Sequence, residues 1–351
     1  VDRYGRRRFL RGAGLMAAGA ASTALVGCTD AAARRSSSPT TSTAPTSTTT
    51  PLDAAAWSAL SSDLSGRLVL PSSASYATAR LLYDPRFDDS NPAAVALCAS
   101  AADVQRCVEF ARTHGIGPIP RSGGHSYGGY STGTGLVVDV TPMRTVSVTG
   151  GAPGAANASA VVGAGTRLVD LYDQLSQAGV LVPGGSCPTV GIAGLALGGG
   201  VGVLGRKYGL TCDAIESVEI VTADSRILVC DPVRHPDLYW ACRGGGGGNF
   251  GVVTSFTFRA DPIPELALFT LDWPWAAAAD VLGAWLAWQH GAPDELWSNC
   301  QLSASGTGTL VRTAGMFVGS VGSLTSLVAS LVAAVGSQPS YRFVGPEQYL
   351  H

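Results

Sequence analysis

Three glycine-rich segments constrain this sequence more than anything else in it. They are Arg121-Ser122-Gly123-Gly124-His125-Ser126-Tyr127-Gly128-Gly129, the stretch from Pro183 through Cys187 to Gly202, and the five glycines at 244–248. Glycine has no Cβ, so a turn of this kind can bring successive backbone N–H groups against phosphate oxygens. One such turn is a weak signal. Three in one region imply a long ligand touched by backbone at several points, and a dinucleotide has that shape. The first turn is not a P-loop, because no Gly-Lys-Ser/Thr follows, and it lacks the Gly-x-Gly-x-x-Gly spacing that opens a helix.

Charge narrows the partners. Of 23 Lys and Arg and 25 Asp and Glu, residues 1–27 hold five Arg and one Asp, which leaves the rest at 18 against 24, a net of −6. Such a chain offers no electrostatic footprint for nucleic acid. Lys207 is its only lysine, so Schiff-base chemistry has a single candidate. With 46% hydrophobic residues there is ample material for a large core,.

The first 51 residues read as targeting and tether. Arg6-Arg7-Arg8-Phe9-Leu10-Arg11 resembles a twin-arginine export signal, and the uncharged stretch from Gly12 to Val26 is too short to span a bilayer comfortably,. Leu25-Val26-Gly27-Cys28 resembles a lipobox, which implies a lipid anchor at Cys28 and residence at the outer face of the cell membrane,. Residues 35–51, rich in Ser, Thr and Pro, read as an extended stalk,. The expected division is 1–27 signal, 28–51 linker, 52–262 ligand-binding domain and 263–351 second domain.

Periodicity predicts helices over 53–65, 102–114 (capped by Ser100), 168–178 (capped by Thr166), 276–289 and 320–335. Strands are expected at 94–97, 116–120, 136–140, 160–162, 250–258, 266–273, 296–303, 310–319 and 341–344. A hairpin joins 218–221 to 227–229, and a further helix is expected to begin near Glu347. Without a regular βαβ repeat the fold class is α+β, with a sheet and helices on one side of it after residue 263.

The stretches RSGGHSYGG, GSCPTVGIAG-x-x-LGGG-x-G, RKYGLTCD and DLYWACRGGGGGNFGVVTSFTF together resemble the berberine bridge enzyme-like oxidases of the vanillyl-alcohol oxidase (PCMH-type FAD-binding) superfamily. They cover about half of the chain, in order. The resemblance implies a two-subdomain FAD-binding domain followed by an incomplete substrate domain. It implies FAD joined covalently to His125 and, through a second bond, to Cys187. Arg121, Ser122, Gly123, Gly124 and Ser126 from the first turn, Thr189, Val190, Gly191, Gly194 and Gly198 from the second, and Val252 after the third are the remaining cofactor-binding candidates. Val190 stands where the family tunes oxygen access, and a small side chain there implies an oxidase that passes electrons to O2. Leu195 stands where many doubly linked members have a His; Leu cannot donate a hydrogen bond to the charge that develops on a reduced flavin.

The reaction so implied is hydride removal from a small alcohol, sugar or amine, with O2 reduced to H2O2. A flavin dehydrogenase using another acceptor and a non-catalytic flavin-binding surface lipoprotein stay open. No catalytic base is legible; the resemblance places it beyond His351, and Tyr127 and Tyr130 are only hydroxyls near His125. His114, His235 and His290 lack metal-ligand spacing, so no metal is expected. Cys98, Cys107, Cys212, Cys230, Cys242 and Cys300 allow 15 disulfide pairings, with none favoured. Most of Trp273, Trp275, Trp285, Trp288 and Trp297 read as core, with one or two available to a substrate wall.

Overall fold

A computed structural model describes residues 53–150, 154–155, 157–305 and 308–349. The export signal, Cys28 and the Ser/Thr/Pro stalk lie outside the described residues. The described part is α+β and contains three sheets.

The first sheet holds β1 (Arg67–Val69), β2 (Ala94–Leu97), β3 (Pro118–Arg121) and β4 (Leu136–Asp139) in the order β1-β2-β4-β3. β4 runs parallel to both β2 and β3. Every residue of β4 is buried, as the run Leu-Val-Val-Asp predicts for a strand covered on both faces,. Helix α1 (Ala54–Asp63) starts the described chain, and α2 (Ala101–Thr113) connects β2 to β3. The Ser100 side chain accepts from Asp103 N at 3.2 Å, the expected N-cap, and Val104, Cys107, Val108 and Ala111 form the buried stripe of α2,. The Asp103 carboxylate is also buried. It accepts from Ser65 N, Gly66 N, Ala99 N and Ser65 Oγ at 2.8–3.0 Å, which ties α2 to the loop before β1.

The second sheet has the order β5-β6-β10-β8-β9, with β7 pairing β10 at its far end. Its strands are β5 (Val146–Thr149), β6 (Ala158–Gly163), β7 (Val180–Leu181), β8 (Ile215–Val221), β9 (Ile227–Cys230) and β10 (Val252–Pro262). The hairpin at 223–225 is present, with Val218 opposite Cys230 and Val221 opposite Ile227. One core runs through the first two sheets and includes Phe256 and Phe258 of β10. Thr166 does not cap the following helix, α3 (Leu168–Gln177). Arg167 holds the cap position without a side-chain bond, and the Thr166 hydroxyl is buried without a partner among the described residues.

The third sheet, β12-β13-β11-β14, comprises β11 (Leu266–Trp273), β12 (Leu296–Ser305), β13 (Gly308–Val318) and β14 (Tyr341–Glu347). Two helices, Ala278–His290 and Val321–Val335, cover one face of it. The second is fixed at both ends: Ser320 accepts from Ser323 N, and Gly336 closes it at φ 75°,. Leu324, Val328, Leu331 and Val335 supply its inner stripe, each worth about 1.5–3 kcal/mol on burial,. Trp273 is fully buried, and Trp285 and Trp288 donate from Nε1 into the same layer, so these three belong to the core. The helix expected near Glu347 is replaced by the end of β14, whose ladder against β11 pairs Glu347 with Leu266.

Candidate flavin site

Two of the glycine-rich turns meet backbone against backbone. The turn after β3 carries Ser122 to Ser126, and the segment Cys187–Gly191 lies on it. A Cβ at Gly123 would stand 2.2 Å from Gly191 N, and one at Gly191 would stand 2.3 Å from Gly123 N and 2.2 Å from Ser122 Oγ. Only two glycines allow this approach. Ser122 Oγ also donates to Ala164 O at 2.7 Å, which ties the turn to the second sheet. The third turn joins through Gly246 N, which donates to Leu197 O at 2.8 Å, and through Gly248, packed over Pro120.

The three turns surround a cleft of about 1060 Å³. Gly123, Gly124, His125, Ser126, Cys187, Val190, Gly191, Gly194 and Val252 line it, together with Ser122 and Arg121. Arg121 is spent on the scaffold. Its guanidinium donates to the carbonyls of Ala79, Arg80 and Ser131 and lies 3.8 Å from Asp139. Gly198 ends the helix Ile192–Leu197, and neither it nor Thr189 is among the lining residues.

His125 and Cys187 both face this cleft, and Cys187 is an exposed, free thiol. The imidazole is held on two sides. Its Nε2 lies 2.9 Å from Thr189 Oγ1, and its ring stacks on Tyr83 with centroids 3.9 Å apart and planes 16° from parallel. Burial, helped by the nearby Arg167 charge, lowers its pKa from the ordinary 6.5, so it is neutral at physiological pH,. Tyr83 is absent from the sequence-based site because nothing local marks it. Its approach depends on a backbone bond from Tyr83 N to Gly124 O at 3.1 Å. Tyr127 and Tyr130 also line the cleft and are 78% and 82% exposed, so their rings stand at its mouth.

Comparison with known proteins agrees with this geometry. Residues 92–231 match the FAD binding domain family model. The FAD-linked oxidoreductase YgaK of Bacillus subtilis is 33% identical over 276 residues, which are 77% of this chain and 60% of YgaK. The solved structure of BBE-like 1 from Physcomitrella patens superposes with a TM-score of 0.74 at 35% identity, covering 83% of this chain and 62% of that one. These likenesses support an FAD-linked oxidoreductase of the vanillyl-alcohol oxidase type. Among its structural relatives is the grass pollen allergen Phl p 4, 28% identical with a TM-score of 0.70 over 80% of this chain and 58% of that one. It is described as having glucose dehydrogenase activity, and a variant with one Ile-to-Val exchange is described as a glucose oxidase. The chain spans about three fifths of the length of these relatives.

The residues present fit FAD. In the first turn, the N–H groups from Gly123 to Ser126 make no backbone hydrogen bond among the described residues, and Gly124 has φ 69°. That is the nest a diphosphate requires. A Cβ on Gly194 would meet nothing within 4 Å, so this cleft residue faces open space. The Thr132 hydroxyl, on a lining residue, is buried without a partner among the described residues. The cleft volume stands just above the roughly 300–1,000 Å³ common for small-molecule and cofactor sites,. Among the described residues no three His, Cys, Asp or Glu gather as a metal site.

Proposed function

We propose that this chain is the flavin-bearing part of an oxidase that holds FAD covalently through His125 and Cys187. The observation that carries the reading is that an exposed thiol and a neutral imidazole, 62 positions apart in sequence, line one glycine-walled cleft. Bound there, FAD would supply the capacity to take a hydride from a substrate C–H bond and to pass the electrons to O2, yielding H2O2. The chain's own part is to hold the cofactor. The first turn offers N–H donors to the diphosphate, His125 and Cys187 offer lone pairs to the ring system, and Val190 leaves room beside it. Substrates of the alcohol, sugar or amine class suit this chemistry. The reading also has the chain exported by the twin-arginine route and anchored at the outer membrane face through Cys28, which residues 6–28 support.

Acid precipitation followed by peptide mapping tests the attachment. The yellow colour is expected to stay in the pellet, and one cross-linked species is expected to contain both His125 and Cys187. Flavin bound to the His125 peptide alone removes Cys187 from the reading, and flavin that washes out removes the covalent attachment altogether.

A dehydrogenase is the second reading, favoured by the activity described for Phl p 4. The small Val190 beside the cleft favours the oxidase. Stopped-flow mixing of the reduced protein with oxygenated buffer separates them. Rapid reoxidation is expected for wild type, with a slowing of about tenfold or more, roughly 1.4 kcal/mol in barrier, for Val190→Ile. Sluggish reoxidation of the wild type gives the dehydrogenase reading.

A further inference from the structure

Covalent attachment of a flavin to an imidazole needs more than a histidine in the right place. The ring must present a lone pair, so the proton of the neutral form has to sit on the other nitrogen. Resting on the proposed His125 linkage, we propose that Thr189 is the positioning residue for that step: it accepts a hydrogen bond from His125 Nε2–H, and Tyr83 fixes the plane of the ring. Nδ1 is then the nitrogen left with its lone pair toward the cofactor.

The geometry carries this. Thr189 Oγ1 lies 2.9 Å from His125 Nε2, and no other side-chain hydrogen bond involves that hydroxyl among the described residues. The Tyr83 ring lies nearly parallel to the imidazole, with centroids 3.9 Å apart. A stack on one face and a bond at one edge leave the ring little freedom to rotate. Thr189 itself is held because its segment is pinned against the first turn: Thr189 O would lie 2.9 Å from a Cβ on Gly123. If the hydroxyl instead donated to Nε2, the proton would occupy Nδ1 and neither nitrogen would offer a free lone pair.

The attachment balances as follows. A bond forms between Nδ1 and the 8α carbon of the flavin, and that methyl loses one proton. The imidazole loses the proton on Nε2, and the flavin ring system keeps two electrons and takes up two protons, becoming the dihydroflavin. Molecular oxygen then accepts two electrons and two protons and leaves as H2O2.

The test uses the full chain in a Cys187→Ser background, so that only one link can form. FAD is added to apoprotein, and two quantities are followed: flavin bound to native protein, and flavin that survives acid precipitation. Thr189→Val and Thr189→Ala are expected to bind FAD but to attach it at least tenfold more slowly, and Thr189→Ser is expected to restore the rate. Tyr83→Ala is expected to slow attachment as well. Nitrogen-15 histidine labelling reads the tautomer directly in the apoprotein, with His125→Gln identifying the signal. The expected spectrum is that of an Nε2–H imidazole, shifting toward a mixture in Thr189→Val. A parent that attaches flavin while the Thr189→Val and Thr189→Ala variants keep pace overturns the proposal, as does an Nδ1–H spectrum in wild type. A parent that binds FAD and never attaches it removes the His125 linkage, and this proposal falls with it.

Discussion

Gly123→Ala is expected to abolish measurable FAD binding, although the substitution adds a single methyl group. The new carbon would stand 2.2 Å from Gly191 N, 2.9 Å from Gly191 Cα and 2.9 Å from Thr189 O. All three are backbone atoms, so no side chain can swing aside to relieve the contact. The two turns must separate by about an ångström to reach ordinary packing distance, and a strained insertion of this kind costs about 1–3 kcal/mol. The larger effect falls on the ligand, because the same displacement opens the nest and carries Thr189 away from His125. Fluorescence titration with FAD reads the loss, and a denaturant melt reads the stability. Gly194→Ala is the control. Its Cβ would meet no protein atom within 4 Å, so the fold should be untouched and any weakening of binding reports the cofactor itself. Gly123→Ala protein that titrates like wild type would show that the contact between the two turns is dispensable.

Asp103→Ala is expected to give the largest loss of stability away from the cleft, on the order of 3 kcal/mol. The carboxylate accepts from three backbone N–H groups and one hydroxyl, joining α2 to the loops before β1 and after β2. Its place in the first turn of α2 adds a favourable interaction with the helix N-terminus,. Burial alone would raise its pKa, but the hydrogen bonds from Ser65, Ala99 and Gly66 outweigh burial and hold it below the ordinary 3.8,. A carboxyl with a depressed folded pKa stabilises fully above its unfolded value and loses that contribution as pH falls through the folded one. The gap between wild type and Asp103→Asn should therefore be widest near neutrality and close below about pH 4. Urea midpoints measured across that range check this, and a gap independent of pH would remove the charge from the explanation.

Sequence reading succeeded where periodicity and caps act locally. The strand at 266–273 and the helix after Ser320 carry their apolar residues at periods of about 2 and 3.6, and both stand within a residue of the expected bounds,. Short elements escaped. β1 and β5 are three and four residues long, too short for a period to register. The helix at 192–197 hid inside a glycine-rich run. Thr166 has the right chemistry for a cap, yet the chain turns into the helix one residue later, because Ile192 N takes the Thr166 carbonyl into a bridge with the second turn. Within the cleft, the glycines and His125 were legible as motifs. Tyr83 and the tie between Thr189 and His125 were not, since each depends on which distant segments the fold brings together. Arg121 shows the converse: a charged residue beside a phosphate-binding motif invites a ligand role, while its guanidinium is occupied by three carbonyls of the scaffold.

The joint between the flavin region and the third sheet has a chemical peculiarity. Lys207 Nζ donates to the Glu295 carboxylate oxygen Oε1 at 2.6 Å, and beside it Arg206 donates to Ala292 O at 2.9 Å. Lys207 is the only lysine in the sequence and its side chain is 41% exposed. A mild acylating reagent therefore has a single side-chain amine to find, at the seam where the cleft-bearing region and the third sheet touch. The molecule carries its own addressable handle there, so a dye or a cross-linker can be placed at that seam without engineering a residue to receive it.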